Sequence, residues 1–175
     1  MDIKSVIRTI PNWPKHGVMF RDITTLLKDA KAFNYVINEF YERYKNDKID
    51  SVAGIESRGF IIGGALAHKL NVGFIPIRKA GKLPSKTERE EYELEYGSAI
   101  VEIHKDAVES GMKILLVDDL IATAGTLAAS INLIEKLGGK VVECAVIIEL
   151  QDLHGRNKIE KKGHKLFSLV KFEGD

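Results

Sequence analysis

The spacing of apolar positions changes along the chain, and each change predicts an element. An opening amphipathic segment (Ile3, Val6, Ile7, Ile10) runs into Pro11-Asn12-Trp13-Pro14-Lys15-His16-Gly17, a turn-rich stretch expected to be loop. From Asp29 to Tyr44, the residues Phe33, Val36, Ile37, Phe40, Tyr41 and Tyr44 recur at three- and four-residue intervals, which predicts a helix. Ser51–Ile55 is a short apolar strand closed by Glu56-Ser57-Arg58-Gly59. A helix from Phe60 to Leu70 follows, its Gly63-Gly64-Ala65 small enough to lie close against a sheet. Val72–Ile77, Ser98–Ile103, Ile114–Val117, Val141–Ile148 and Leu166–Val170 read as strands, and Thr126–Leu137 as a helix stopped by Gly138-Gly139. Ile114–Val117 is continuously apolar, the pattern of a strand covered on both faces. Strands separated by helices predict an α/β fold with a mostly parallel central sheet flanked by helices. Ligands in such sheets bind beyond the carboxyl ends of the strands, so the informative loops follow Ile55, Ile77 and Val117.

Composition narrows the function classes. One domain, residues 1–175, accommodates the length, with no repeat or linker to divide it. A chain that is 45% hydrophobic and 29% charged folds as an ordinary globular protein. Lys and Arg (26) balance Asp and Glu (25) to a net charge of +1, which argues against nucleic-acid or polybasic membrane binding. The single cysteine, Cys144, lies in the apolar run Val141–Leu150 and reads as a core residue in a reducing compartment. With no spanning-length apolar run and no signal-like N-terminal stretch, a cytoplasmic location is expected. The histidines (His16, His68, His104, His154, His164) are scattered without ligand spacing, so no protein-built metal site is expected.

The sharpest feature is Leu115-Leu116-Val117-Asp118-Asp119-Leu120-Ile121-Ala122-Thr123-Ala124-Gly125-Thr126. An apolar strand delivers two adjacent acids, Asp118 and Asp119, to the sheet edge, where they are expected to be exposed and to carry little stability. A turn of small residues then opens a helix. Small side chains let an anion reach the backbone, and the free N–H groups of a helix N-terminus hold phosphate with help from the helix dipole. Thr123 and Thr126 add hydroxyl donors. Acids just before a phosphate cradle suit a sugar phosphate, the carboxylates accepting hydrogen bonds from vicinal ribose hydroxyls. The bland alternative is a strand–turn–helix whose acids cap the helix. Neither the lysine of a P-loop nor a G-x-G-x-x-G is present.

This segment resembles the phosphoribosylpyrophosphate-binding motif of the type I phosphoribosyltransferases, in particular of the branch that uses adenine. Four further stretches carry the resemblance, in the family's order and over nearly the whole chain: Gly17-Val18-Met19-Phe20-Arg21-Asp22-Ile23, Gly54-Ile55-Glu56-Ser57-Arg58-Gly59-Phe60, Arg78-Lys79-Ala80-Gly81-Lys82-Leu83-Pro84 and Glu93-Leu94-Glu95-Tyr96-Gly97. Ala124 stands where the family more often has glycine; its methyl group leaves the backbone donors available provided the local φ is negative. The resemblance implies a small N-terminal hood within residues 1–28 and a flexible lid loop over 81–97. It implies transfer of the 5-phosphoribosyl group to N9 of adenine, giving AMP and pyrophosphate in purine salvage. It further implies Mg²⁺ held mainly by the substrate, and a homodimer.

The same resemblance distributes the roles. Ala122, Thr123, Ala124, Gly125 and Thr126 would bind the 5′-phosphate. Glu56, Ser57 and Arg58, with a strained or cis peptide near Glu56-Ser57, would bind pyrophosphate, as would Arg78, Lys79 and Lys82. Met19, Phe20 and Arg21 would bind adenine, Phe20 by stacking and the other two through backbone groups. Asp118 and Asp119 would serve the ribose, and Glu95, reaching the site with Tyr96 on lid closure, would handle the purine proton. Without the resemblance each group has a plainer reading: a surface arginine, solvated lysines, a core phenylalanine. For Gly81–Tyr96, where eight of sixteen residues are charged, it is a solvated surface hairpin. Hypoxanthine–guanine enzymes carry an aspartate at the position of Ala122, so its absence argues against that branch. An oxopurine (xanthine or hypoxanthine) transferase and a non-catalytic phosphoribosylpyrophosphate-sensing regulator are the alternatives. The second would need a basic face or an additional ~60-residue DNA-binding module, which a chain of this length and near-zero net charge is not expected to supply.

Overall fold

The computed structural model describes residues 1–94 and 97–174. Its centre is a seven-stranded sheet in which apolar runs are covered on both faces. The strands are β3 (Ser51–Ile55), β4 (Gly73–Lys79), β5 (Thr87–Glu93), β6 (Ser98–His104), β7 (Lys113–Ile121), β8 (Lys140–Leu150) and β9 (Leu166–Phe172), in the spatial order β5-β6-β4-β3-β7-β8-β9. β4, β3, β7, β8 and β9 run parallel. β6 and β5 extend the β4 edge antiparallel. Alternate residues go to opposite faces. Ala53, Ile55, Leu116 and Val146 join one apolar cluster under helix α4 (Gly125–Lys136). Val52, Leu115, Val117 and Ala145 join another under α2 (Ala30–Tyr44) and α3 (Arg58–Leu70).

Local chemistry starts and seats these helices. Asp29 caps α2, its carboxylate accepting from the N–H groups of Lys31 (2.9 Å) and Ala32 (3.1 Å). On α3, a Cβ on Gly63 would lie 2.9 Å from Phe74 Cε2, so the missing side chain is what lets the helix sit down on β4. Gly64 faces open space and does not share that role.

The N-terminal residues form a separate two-stranded antiparallel sheet, β1 (Arg8–Pro11) with β2 (Met19–Asp22), in register Arg8↔Asp22 through Pro11↔Met19. Two short helices, α1 (Thr24–Lys28) and α5 (Gly155–Lys161), complete the fold. No helix among the described residues is long and apolar enough to cross a membrane.

Two expectations are corrected, and three features go beyond them. Asp118 and Asp119 do not close β7, which continues in register with β8 as far as Ile121↔Glu149. Segment 81–97 is not a loop throughout, because β5 pairs with β6 over seven residues, Thr87↔His104 to Glu93↔Ser98. α1, α5 and the β1–β2 pairing were not anticipated.

Candidate active site

The chain leaves β3 toward β4 on one side and β7 toward β8 on the other, so a crevice opens between the carboxyl ends of β3 and β7, where such sheets bind ligands. It is a cleft of about 340 Å³ lined by Glu56, Ser57 and Arg58 from the end of β3, Arg78 and Lys79 from β4, Tyr92 from β5, Asp118 and Asp119 from β7, and Thr126 from α4. A second hollow of about 140 Å³ is lined by residues 120–127 and shares Asp118, Leu120 and Thr126 with the first. The two spaces are therefore contiguous across the acids.

Both acids are enclosed, against the expectation of exposed carboxylates. Asp119 is 5% exposed and Asp118 half-buried. Arg58 Nε donates to Asp119 Oδ2, joining the β3 loop to β7, and Asp118 Oδ1 accepts from the Asp119 N–H at 2.8 Å. Burial, reinforced by the charge of Asp119, raises the Asp118 carboxyl well above the ordinary carboxylate range. The first turn of α3 sits directly against this pair. A Cβ on Gly59 would lie 3.0 Å from Asp118 Oδ1 and 3.0 Å from the Val117 carbonyl oxygen.

The pyrophosphate candidates divide into two groups. Ser57 and Arg58 line the cleft, and the Glu56–Ser57 peptide is cis, as the resemblance implies. Glu56 has no donor to offer an anion: its N–H is given to the Ile77 carbonyl (2.9 Å) and its carboxylate accepts from Arg78 Nε (3.3 Å), Arg78 Nη2 (3.2 Å) and the Lys79 N–H (3.0 Å). The Arg78 guanidinium holds the Glu56 carboxyl below the usual range, so it stays ionised and aims the arginine. Lys82 does not line the cleft, and its carbonyl accepts from Arg78 Nη1 at 3.2 Å. Arg58, Arg78 and Lys79 are thus the cations brought together.

Ala122, Thr123, Ala124, Gly125 and Thr126 curve around the second hollow. Ala124 occupies the N-cap position of α4, where an alanine supplies no side-chain acceptor, so the first N–H groups of the helix are left for another partner. Its φ of +65° overturns the expected negative angle and places a Cβ-bearing residue in the left-handed region. The turn residues nevertheless line the hollow.

Met19, Phe20 and Arg21, expected to bind the base, do not line the cleft. Phe20 is half-buried, its ring edge-on to Trp13 at 4.4 Å between centroids. Arg21 lies 4.3 Å above the Phe172 ring and donates to Thr9 Oγ1 at 2.8 Å, while Met19 pairs with Pro11. Asp22, next in the strand, accepts from Arg8 Nε at 3.0 Å and from the Thr24 N–H at 2.9 Å. Glu95 and Tyr96 lie outside the described residues. Sequence reasoning missed Tyr92, which lines the cleft and sits so close to α4 that a Cβ on Gly125 would be 3.1 Å from its Cδ2. Its apolar ring within an acidic run was the available signal. Among the described residues, no cluster of three or more His, Cys, Asp or Glu is arranged to hold a metal ion.

A family model described as the phosphoribosyl transferase domain matches residues 23–174. The chain is 58% identical over 175 residues, all of both chains, to an adenine phosphoribosyltransferase of Desulfosudis oleivorans. It is similar to the crystal structure of adenine phosphoribosyltransferase from Thermoanaerobacter pseudethanolicus, with a TM-score of 0.93 at 51% identity over 98% of each chain. It is likewise similar to the Saccharomyces cerevisiae adenine phosphoribosyltransferase complexed with D-2,5-dideoxy-2,5-imino-altritol 1,6-bisphosphate and adenine, with a TM-score of 0.91 at 39% identity over 97% of each chain.

Proposed function

Since the chain belongs to the phosphoribosyltransferase family, and within it to the adenine phosphoribosyltransferases, we propose a division of labour in which the two contiguous hollows hold the two ends of phosphoribosylpyrophosphate. The reaction joins the anomeric carbon of the sugar to N9 of adenine and releases pyrophosphate, giving AMP. The observation that carries the proposal is the position of Asp118 and Thr126, which line both spaces. A ribose placed there has its 5′-phosphate over the turn Ala122–Thr126 and its pyrophosphate over Arg58, Arg78 and Lys79.

In this reading, departure of pyrophosphate leaves positive charge on the ribose ring and negative charge on the leaving oxygens. Asp118 and Asp119 accept hydrogen bonds from the ring hydroxyls and face the developing cation. Arg58 and Arg78 are held in place by Asp119 and Glu56 before the reaction begins, so they stabilise the leaving group without reorganising, and Lys79 adds its charge beside them. Glu56 is a positioning residue that fixes Arg78. The carboxylates at hand fit a metal ion that arrives with most of its ligands: Asp119 and Glu56 are each engaged by an arginine, which leaves Asp118, whose Oδ1 accepts from the Asp119 N–H, as the cleft carboxylate without an arginine partner. Bound in this way, Mg²⁺ would neutralise charge on the pyrophosphate oxygens.

Met19, Phe20 and Arg21 present the hood edge to the base, and Glu95 handles the purine proton. Segment 81–97, with Tyr92 set against the phosphate turn, closes the cleft from water. Adenine carries an amino donor at C6 where hypoxanthine carries an acceptor, and a site built for one rejects the other by up to roughly 10⁴-fold. The homodimer and the cytoplasmic setting belong to the same proposal.

Pyrophosphate release, measured with phosphoribosylpyrophosphate and Mg²⁺ in parallel with adenine, hypoxanthine, guanine and xanthine, tests the reading. Turnover with adenine alone is expected. Turnover with an oxopurine would overturn the base assignment, and tight phosphoribosylpyrophosphate binding without turnover would make the chain a sensor.

A further inference from the structure

The turn Ala122–Thr126 needs a support on the side away from the ligand, because its own backbone is exposed at Thr123 and only half-buried at Ala122. That support comes from the far end of the chain. Gly155, the first residue of α5, is buried so tightly against the turn that a Cβ there would lie 2.1 Å from the Ala122 carbonyl oxygen, 3.1 Å from its carbonyl carbon and 3.0 Å from Ile121 Cγ1. The first of these is backbone at a separation no side chain could occupy. One of the two elements would have to move.

The next residue decides which one. Arg156 Nε donates to Glu149 Oε1 (2.8 Å) and Nη2 to Glu149 Oε2 (2.5 Å), while Nη1 donates to the Leu166 carbonyl (2.8 Å). Ser168 Oγ donates to the same Glu149 carboxylate at 2.6 Å. Glu149 is 4% exposed and stands in register with Ile121, one residue before the Ala122 carbonyl. Ile159, a turn further along α5, is fully buried. α5 is therefore fastened to β8 and β9 by a charge-assisted network with its donors and acceptors matched, whereas the turn is the compliant partner. None of these groups takes part in the chemistry described above.

We propose that Gly155 is a positioning residue for 5′-phosphate recognition, its backbone forming the rear wall of the turn and the Arg156–Glu149–Ser168 cluster holding that wall in place. The inference rests on the reading of Ala122–Thr126 as the phosphate site. Adding a methyl group at Gly155 pushes the turn toward the ligand, displacing the amides that meet the phosphate and leaving the base end of the cleft untouched.

The test is steady-state kinetics of the full chain with phosphoribosylpyrophosphate, Mg²⁺ and adenine, with AMP and adenine binding measured alongside. Gly155→Ala is expected to raise the KM for phosphoribosylpyrophosphate and weaken AMP by at least about tenfold, the KM for adenine staying within about twofold. Arg156→Lys keeps the charge but loses the planar fork, and is expected to move the same parameters in the same direction by about threefold. It decides the matter if Gly155→Ala does not fold. Equal rises in both KM values, or no rise for phosphoribosylpyrophosphate, would overturn the inference. Thr126→Val separates the two levels. If it too leaves phosphoribosylpyrophosphate binding unchanged, the phosphate reading itself fails; if it weakens that binding while the Gly155 and Arg156 variants do not, only the rear wall fails.

Discussion

Gly59→Ala is the substitution that most directly probes how the acid pair is placed. The new Cβ would meet Asp118 Oδ1 and the Val117 carbonyl oxygen at 3.0 Å each and Asp118 Cα at 3.3 Å, all on β7. β7 lies between β3 and β8 and does not yield, so α3 must lift by a few tenths of an ångström, carrying Arg58 with it. Two stability terms oppose each other. Crowding of a packed interior costs about 1–3 kcal/mol. Alanine in place of glycine within a helix contributes about 0.8–1 kcal/mol. The net loss is about 0–2 kcal/mol, small enough for the protein to stay folded. Catalysis is expected to be less tolerant, because Arg58 shifts relative to Asp119 and Asp118, the pair proposed to face the ribose. A fall of about 10- to 100-fold in kcat/KM for phosphoribosylpyrophosphate is expected. The assay pairs that constant with a thermal unfolding scan. Gly64→Ala is the control, on the same helix with nothing within 4 Å of its Cβ; it should leave kcat/KM unchanged and gain a few tenths to about 1 kcal/mol. An unchanged kcat/KM in folded Gly59→Ala protein would refute the claim that this close approach sets the geometry.

Three more outcomes are expected. Asp118→Asn removes a carboxylate that burial and Asp119 disfavour, so at neutral pH it should raise the unfolding temperature while lowering turnover at least about 100-fold; combined with Asp119→Asn it should abolish turnover, and a double variant with near wild-type rates would sink the ribose assignment. Ala124→Gly relieves a left-handed alanine worth about 1–2 kcal/mol but restores backbone freedom to the unfolded chain worth about 0.5–1 kcal/mol, so a gain of up to about 1.5 kcal/mol in denaturant titration is expected, with no loss of phosphoribosylpyrophosphate affinity. The Asp22 carboxyl is held down from its ordinary 3.8 to about 2 by hydrogen bonds from Arg8 and Thr24; a depressed acid stabilises the fold above its unfolded pKa and loses that contribution as pH falls through its folded one. The stability gap between wild type and Asp22→Asn should therefore be constant at neutral pH and close between pH 3.8 and about 2, and a gap that persists at pH 2 would contradict the pairing.

Sequence pattern reached those parts of the molecule whose burial is locally periodic. Ser51–Ile55 was legible to the residue because all five positions are covered, and α2 because one face of it is. α1 and α5, at five and seven residues, are too short to express a helical period, and β1 is interrupted by the turn chemistry beside it. In the site, Asp118 and Asp119 were legible because acids after an apolar run conflict with burial. What was not legible depends on partners distant in sequence. The engagement of Glu56 by Arg78 turns an expected anion ligand into a support, and the left-handed turn at Ala124 is imposed by surroundings that no neighbouring residue announces. Tyr92 was hidden because both faces of β5 carry charges, one of them, Glu90, reaching back to Asn132 (2.7 Å) and Lys136 on α4.

Those charges have a second consequence. β5 is the outermost strand of the sheet, and an outermost strand offers a row of unmatched backbone groups to any extended chain that drifts past. An edge strand of this length carries this hazard wherever the protein is concentrated. Glu88, Glu90, Glu91 and Glu93, with Arg89 among them, place a charge at almost every step of that rim, so a second copy's strand laid against it would bring mostly acidic side chains together instead of finding a welcoming ladder. The charge that reads in the sequence as a solvated surface hairpin is what allows the segment to be an edge strand without becoming the seed of an aggregate.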